Sequence, residues 1–311
     1  MQFNKKTMAA LAVTALLSGT AFAETSFTIY GRANVSVEQQ KVGGQSDSVL
    51  VDNASRLGFR ANRDLSDGMS VGTVLEAGTN LTSGSTKTNK LFAREASVAL
   101  NGAFGQVKLG RMPASVAYFA TADYVSNHNH DTGTSSDALY DFLATGTGTS
   151  DSTNVSPIAM AASYDAGALQ LGLGYESAQN PTTVAAVSAS QVTARAFYSM
   201  GALGFGGYVQ KSSGSNFDRT AYRLSAMYTL GQSEFHVNVG SAGNRASVAN
   251  TGATQYTLAY NYNLDKQTKV YAMLTQVSNK AAAGYNPGGF ATANSNGQDL
   301  RSVGAGVRYN F

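Results

Sequence analysis

The sequence predicts an all-β protein, a transmembrane antiparallel up-and-down β-barrel, and three observations carry that prediction. Apolar and polar residues alternate with a period of two in one segment after another, which is the pattern of strands with one apolar and one polar face. The connections between these segments are alternately short and long. The chain opens with an export segment, yet no later apolar run approaches the roughly 20 residues that a membrane-spanning helix requires.

The export segment comes first. MQFNKKTMAALAVTALLSGTAFA has a basic start at Lys5 and Lys6, an apolar centre from Met8 to Leu17 and an Ala21-Phe22-Ala23 ending, so residues 1–23 read as a signal peptide cleaved before Glu24. Residues 24–311 then form a single barrel domain. In SFTIYGRANVSVE, Phe27, Ile29, Ala33, Val35 and Val37 stand opposite Thr28, Arg32, Asn34, Ser36 and Glu38. RLGFRAN sets Leu57, Phe59 and Ala61 against Arg56, Arg60 and Asn62. ALQLGLGYE, EFHVNVG and QYTLAYNYNL continue the alternation through Leu169 to Tyr175, Phe235 to Val239 and Tyr256 to Leu264.

The strands fall at 26–38, 49–62, 68–80, 89–100, 105–111, 156–165, 168–178, 190–200, 202–212, 218–230, 232–243, 251–264, 267–278 and 300–311. That is about 14, an even number, so both chain ends lie on the short-turn side and the first strand can pair with the last. Closure matters because an open edge in lipid leaves backbone N–H and C=O groups unpaired. Short turns such as RDLSDG, NGAFG and DAG alternate with long polar loops near 39–48, 80–88, 179–189, 213–217, 243–250 and 279–299.

Residues 112–155 break the rule, because a connection of that length without strand pattern is expected only where it has a function. Within it, YVSNHNHDTGTSSDALYDF carries His128 and His130 beside Asp131-Thr132-Gly133. An aspartic protease needs a second such aspartate motif, and none occurs. A metal site would draw a further ligand from elsewhere, while the only other histidine, His236, is remote. The chain has no cysteine, which removes thiolate metal sites, disulfides and cysteine nucleophiles. Without Lys5 and Lys6 it has 20 basic and 19 acidic side chains, a balance that offers no attraction to nucleic acid. No cofactor and no catalysis are expected.

Charge placement is more informative. Residues 112–155 hold Asp123, Asp131, Asp137, Asp141 and Asp151 and no Lys or Arg. The first five strands carry Arg32, Arg56, Arg60, Arg94, Lys108 and Arg111. The alternation puts Arg32, Arg56 and Arg60 on the polar, inward face, and leaves the direction of Arg94 open. A long loop folded into the barrel would set its carboxylates against this basic wall.

TIYGRANVSVE, SRLGFRANRDLSDGMSV, LFAREASVALNGAFGQVKLGRM, a long loop and a final GVRYNF together resemble the general diffusion porins of Gram-negative outer membranes. The resemblance implies a homotrimer in outer-membrane lipid and lipopolysaccharide, with 16 strands as the usual number. It also implies a third loop, here 112–155, folded inward opposite basic wall residues. On that pattern Arg32, Arg56 or Arg60, and Arg94 form the basic side of a constriction, and Arg94 points inward. Asp123, Asp131, Asp137 and Asp141 are the candidates for the acidic side, in place of the family's frequent Pro-Glu-Phe-Gly-Gly run. Terminal Phe311 resembles the signal read by the barrel-insertion machinery. The implied function is passive diffusion of ions and small hydrophilic solutes through a water-filled channel. A substrate-specific porin with a saturable site is the nearer alternative, and a barrel enzyme the more distant one.

Overall fold

The computed structural model describes residues 25–123, 133–141, 158–180, 187–214, 218–246 and 248–311. The signal segment, His128, His130 and Asp131 lie outside them. Sixteen ladder segments make one antiparallel array: β1 (Thr25–Val42), β2 (Gln45–Asp52), β3 (Arg56–Asp64), β4 (Ser70–Asn80), β5 (Ser85–Thr86), β6 (Glu95–Gly102), β7 (Gly105–Arg111) and β8 (Ile158–Ala166), then β9 (Leu169–Asn180), β10 (Val187–Met200), β11 (Leu203–Gly214), β12 (Arg219–Leu230), β13 (Ser233–Ala242), β14 (Ala253–Asn263), β15 (Thr268–Asn279) and β16 (Leu300–Asn310). A short helix, α1 (Val116–Ala120), follows β7.

The hydrogen-bonded path runs β7-β6-β4-β3-β1-β16 and then down in order to β8, passing through fourteen segments. The other two are local. β2 and β3 both pair with β1, through Val35↔Asp52 and Arg32↔Arg56, so they are one crossing interrupted at Asn53-Ala54-Ser55. β5 is a two-residue ladder in the loop after β4. The sequence count of about fourteen crossings therefore matches the path. First and last strands join as expected, with Val35 opposite Val307 and the Gly31 N–H donating to the Phe311 carbonyl at 2.8 Å. The path ends at β7 and β8, the two strands that flank the long loop.

Burial is inverted relative to a water-soluble protein. Inward positions of β1 and β14 are polar and buried, as at Asn34, Ser36, Glu38, Gln40, Gln255 and Thr257. Outward positions are apolar, and Leu224, Val237, Val239 and Leu258 remain roughly half exposed. Such a surface is stable only against lipid. Outward rings gather near the short-turn end, with Phe235 and Tyr260 5.2 Å apart and Tyr309 and Phe311 5.7 Å apart. With no tryptophan in the chain, Tyr and Phe supply the interfacial belt.

Some boundaries differ from expectation. The polar stretch 39–48 is a hairpin, not a loop: β1 continues to Val42 and turns at Gly43-Gly44 into β2. Its outward residues are polar because they rise beyond the apolar belt, which disguises a strand as a loop. β6 starts at Glu95 rather than at residue 89, since residues 87–94 turn back with Lys87 paired to Asp52 at 2.6 Å.

The long loop enters the barrel. Ser115 caps α1 by accepting from the Tyr118 N–H at 3.0 Å. The helix lies against the inner face of β9, where LQLGLGYE alternates outward leucines with inward glycines. A Cβ at Gly174 would stand 2.7 Å from the Ala117 Cβ, and one at Gly172 would stand 2.3 Å from the Ala120 carbonyl oxygen. Gly174→Leu is therefore expected to lift α1 off the wall and destabilise the folded barrel by about 1–3 kcal/mol. The temperature at which the barrel loses its compact mobility on a denaturing gel checks this.

Candidate functional site: a basic wall and an anchored loop

Glu76 on β4 is the organising carboxylate of the basic wall. It accepts from the Tyr30 hydroxyl at 3.0 Å and from Arg94 Nε at 2.6 Å, and Arg56 Nε lies 3.6 Å away. Arg60 stacks over the Tyr30 ring, 4.8 Å from its centre. Arg32 is within electrostatic reach of Arg56, Arg94 and Arg308. The four arginines expected from sequence thus meet on one stretch of inner wall, and Arg94 points inward.

Two cations missed by the sequence reading join them. Arg308 on β16 shares one acceptor with Arg32: the Asn310 side-chain carbonyl takes Arg32 Nε at 3.1 Å and Arg308 Nε at 3.4 Å. Lys269 on β15 stands beside Arg308 in the ladder and pairs with Glu234 at 3.4 Å. Both were legible, because Val307, Tyr309 and Val270 point outward and period two sends Arg308 and Lys269 in. Among the described residues, Arg32, Arg60 and Arg308 have no carboxylate within 4 Å. Lys108 and Glu95 pair one-to-one at 2.5 Å and leave the balance unchanged.

The loop aspartates divide into different environments. Asp123 comes within electrostatic reach of Arg56. Asp137 and Asp141 were expected opposite the arginines of the first strands, and the structure places them elsewhere. Asp137 pairs with Arg223 Nη1 of β12 at 3.0 Å and accepts from the Tyr208 hydroxyl. Asp141 pairs with Arg219 Nη2 at 2.8 Å and with Arg245 Nη2 at 2.5 Å, and accepts from Ser212 Oγ at 2.8 Å. β12 is six places from β3 along the sheet. The side chains of Arg219 and Arg223 are fully buried, so these carboxylates neutralise buried cations and anchor the loop.

Backbone and apolar contacts complete the anchor. The N–H groups of Ala138 and Asp141 donate to Gln255 and Gln210, each at 2.9 Å. Leu139 fills a cluster with Val42, Ala221, Ala242, Val277 and Leu300. Tyr140 packs 5.0 Å from Tyr118 and 5.9 Å from Tyr208. Burial, with Glu176 nearby, holds the Tyr140 phenol above its ordinary range, so it stays neutral. At the other end of the segment Thr134 Oγ1 donates to buried Glu38 at 2.9 Å. Gly133 lies so close to Asn53 that a Cβ would overlap its side chain. The protease-like letters thus serve docking where they are described.

The last loop seats over this segment. Tyr285 stacks against Arg219 at 5.1 Å, Gln40 donates to the Gly289 carbonyl at 2.9 Å, and Phe290 packs on the Leu139 cluster. The β12–β1 part of the lumen is therefore filled. The wall leaves Arg32, Arg60 and Arg308 without a carboxylate among the described residues, which in a low-dielectric interior would be prohibitive, so water must reach them.

A family model described as Gram-negative porin matches residues 9–158 and 144–282. The chain belongs to the Gram-negative porins. Outer membrane porin protein 32 of Delftia acidovorans is 28% identical over 356 residues, covering 99% of this chain and 100% of the relative. Among solved structures, an anion-selective porin from Comamonas acidovorans superposes with a TM-score of 0.73 at 23% identity, covering 93% of this chain and 100% of that one. The trimer form of OmpT from Vibrio cholerae gives 0.60 at 14% identity, covering 93% and 100%. This porin is an outer-membrane β-barrel that forms a channel for passive diffusion of ions and small hydrophilic solutes.

Proposed function

We propose that this porin prefers anions, and that its constriction lies between the arginine wall and the part of the loop that carries Asp123. The observation that carries the reading is the set of unpaired guanidiniums, Arg32, Arg60 and Arg308, on a wetted inner wall. Among the described residues, six cations on that wall, Arg32, Arg56, Arg60, Arg94, Arg308 and Lys269, meet three carboxylates, Glu76, Glu234 and Asp123. A surplus of fixed positive charge in a narrow aqueous passage concentrates anions and repels cations. The anion-selective neighbour from Comamonas acidovorans supports the same direction.

Residues 1–23 are the export signal and 24–311 the mature barrel domain, with 112–155 as its constriction loop. The assembly is a homotrimer, as in the trimer form of OmpT. Its surroundings are lipid and lipopolysaccharide, and Phe311 is the residue presented to the insertion machinery. The channel transports without turnover and has no catalytic residue. Purified protein added to a planar lipid bilayer is expected to give stepwise conductance increments, in multiples of three where trimers insert. A folded protein that gives no steps would refute the channel.

A further inference from the structure

Below the arginines, toward the short turns, the inner face of β3, β4, β6 and β7 carries a depression. One inward row runs across these strands in register: Asn62 opposite Gly72, Gly72 opposite Ala99, and Ala99 opposite Lys108. Neighbouring strands lie about 4.8 Å apart, so the backbones at Asn62 and Lys108 are roughly 14 Å apart with only a glycine and an alanine between them. The inward row above sets Arg60 beside Val74 and Ser97, and the row below sets Asp64 beside Ser70, Asn101 and Gln106. The result is a trough of about 220 Å³, floored by Gly72 and Ala99 and rimmed by Arg60, Asn62, Gln106 and Lys108.

The polar groups around the trough differ in what they already hold. Lys108 is paired with Glu95 at 2.5 Å, and Glu95 also accepts from Ser97 Oγ at 2.5 Å. Gln106 Nε2 donates to Asn101 Oδ1 at 2.7 Å, and Asn101 Nδ2 donates to Ser70 Oγ at 3.2 Å, so both amides are held at the rim. Arg60 and Asn62 are different. Arg60 stacks on the Tyr30 ring, and among the described residues neither its guanidinium nor the Asn62 amide has a hydrogen-bond or carboxylate partner. A guanidinium takes a carboxylate through two parallel bonds, and a side-chain amide serves hydroxyl groups by donating and accepting at once. Glu95 and Asp64 repel a second negative charge, which favours a ligand with one carboxylate over a dicarboxylate. Asp64 stands in the row nearest the short turns, so the carboxylate end of that ligand points up to Arg60 and its hydroxyl-bearing end down to the amides.

We propose that this trough binds sugar acids, chains with one carboxylate and several hydroxyls, with Arg60 holding the carboxylate and Asn62, Asn101 and Gln106 the hydroxyls. The site rests on the anion preference of the same wall and adds to it a choice among anions. It lies between the eyelet and the short-turn mouth, where a solute can be held without leaving the conduction path. Permeation of such solutes is therefore saturable.

The test reads the single-channel current of the mature protein in planar bilayers, at constant potassium chloride, while gluconate, hexanoate or sorbitol is added. These six-carbon chains carry a carboxylate with hydroxyls, a carboxylate alone and hydroxyls alone. Gluconate is expected to reduce the current saturably, with a half-effect concentration roughly tenfold below that of either other probe. Gly72→Val fills the floor and changes no charge. A Cβ there would stand 3.4 Å from Asn62 Oδ1 and 3.7 Å from the Ala61 carbonyl oxygen, ordinary contacts for a strand residue. The variant is expected to raise the gluconate half-effect concentration roughly tenfold and to keep the wild-type chloride-over-potassium ratio. Asn62→Ala removes an amide and leaves the floor open; it should weaken the gluconate effect several-fold, and it decides the matter if Gly72→Val forms no channels. Gluconate that acts no more strongly than hexanoate or sorbitol would overturn the site, as would a wild-type gluconate response in either variant. The chloride-over-potassium ratio is measured on the same channels. A cation-preferring wild type would count against the anion reading of the wall, whereas a chloride-preferring one that treats the three probes alike would overturn the sugar-acid site alone.

Discussion

Asp141→Ala is expected to raise single-channel conductance several-fold, broaden its open-state noise and lower the temperature at which the barrel unfolds. The reason is the buried pair. Asp141 neutralises Arg219, whose side chain is fully buried, and also holds Arg245 and Ser212. Removing one partner of a buried ion pair costs about 3–5 kcal/mol, because the other charge is left uncompensated. That cost is most readily relieved by moving the loop, since Arg219 also donates to the Leu139 carbonyl at 2.5 Å and supports Tyr285 of the last loop. Once residues 137–141 leave the β12 wall, water enters the space around Leu139. Asp137→Asn should act in the same direction through Arg223 and Tyr208. If both variants keep wild-type conductance and thermal stability, these carboxylates do not anchor the loop. A change confined to ion selectivity would instead place them on the conduction path.

The second large effect concerns the arginines. Replacing Arg32 and Arg308 together by glutamine should lower the anion-over-cation permeability ratio by roughly tenfold in dilute salt. A unit charge about 5 Å from a passing ion in water contributes roughly 0.8 kcal/mol, a factor of about four for each guanidinium. In concentrated salt the effect should shrink, because at 1 M the screening length is only about 3 Å. Glutamine retains hydrogen bonding toward Asn310, so the wall should keep its shape while losing its charge. Arg94 is a different case: it is tied to Glu76, and its removal would free a carboxylate as well as remove a cation. A ratio unchanged by the double replacement would show that the selectivity is set elsewhere.

Much of this was legible in the sequence, and the reasons are physical. Period two reports face directly, so SFTIYGRANVSVE disclosed both the lipid side of β1 and the inward direction of Arg32. The same rule could have located Arg308, Lys269 and Arg223, since each stands beside outward apolar neighbours, and Arg219 lies on the same face four residues before Arg223. What alternation cannot report is which inward groups meet across the lumen. Asp137 and Asp141 look like Asp123 in sequence, but they reach β12 through the path of a folded loop, which no local pattern encodes. LQLGLGYE carried a signal of a different kind: its outward leucines marked the strand, while its inward glycines marked the seat of α1, a contact that requires knowing what lies inside the barrel. The hairpin at 39–48 was hidden because polar outward residues mean solvent, whether on a loop or on a strand that outgrows the membrane.

The central claim is that the lumen of this porin carries a net positive wall facing water. The reversal potential of the wild-type channel in a planar bilayer, under a potassium chloride gradient in the tens to hundreds of millimolar, tests it most directly. A sign corresponding to chloride-preferring conduction, declining as both solutions are made more concentrated, is the expected result. A cation-preferring reversal potential over the same range would contradict the account.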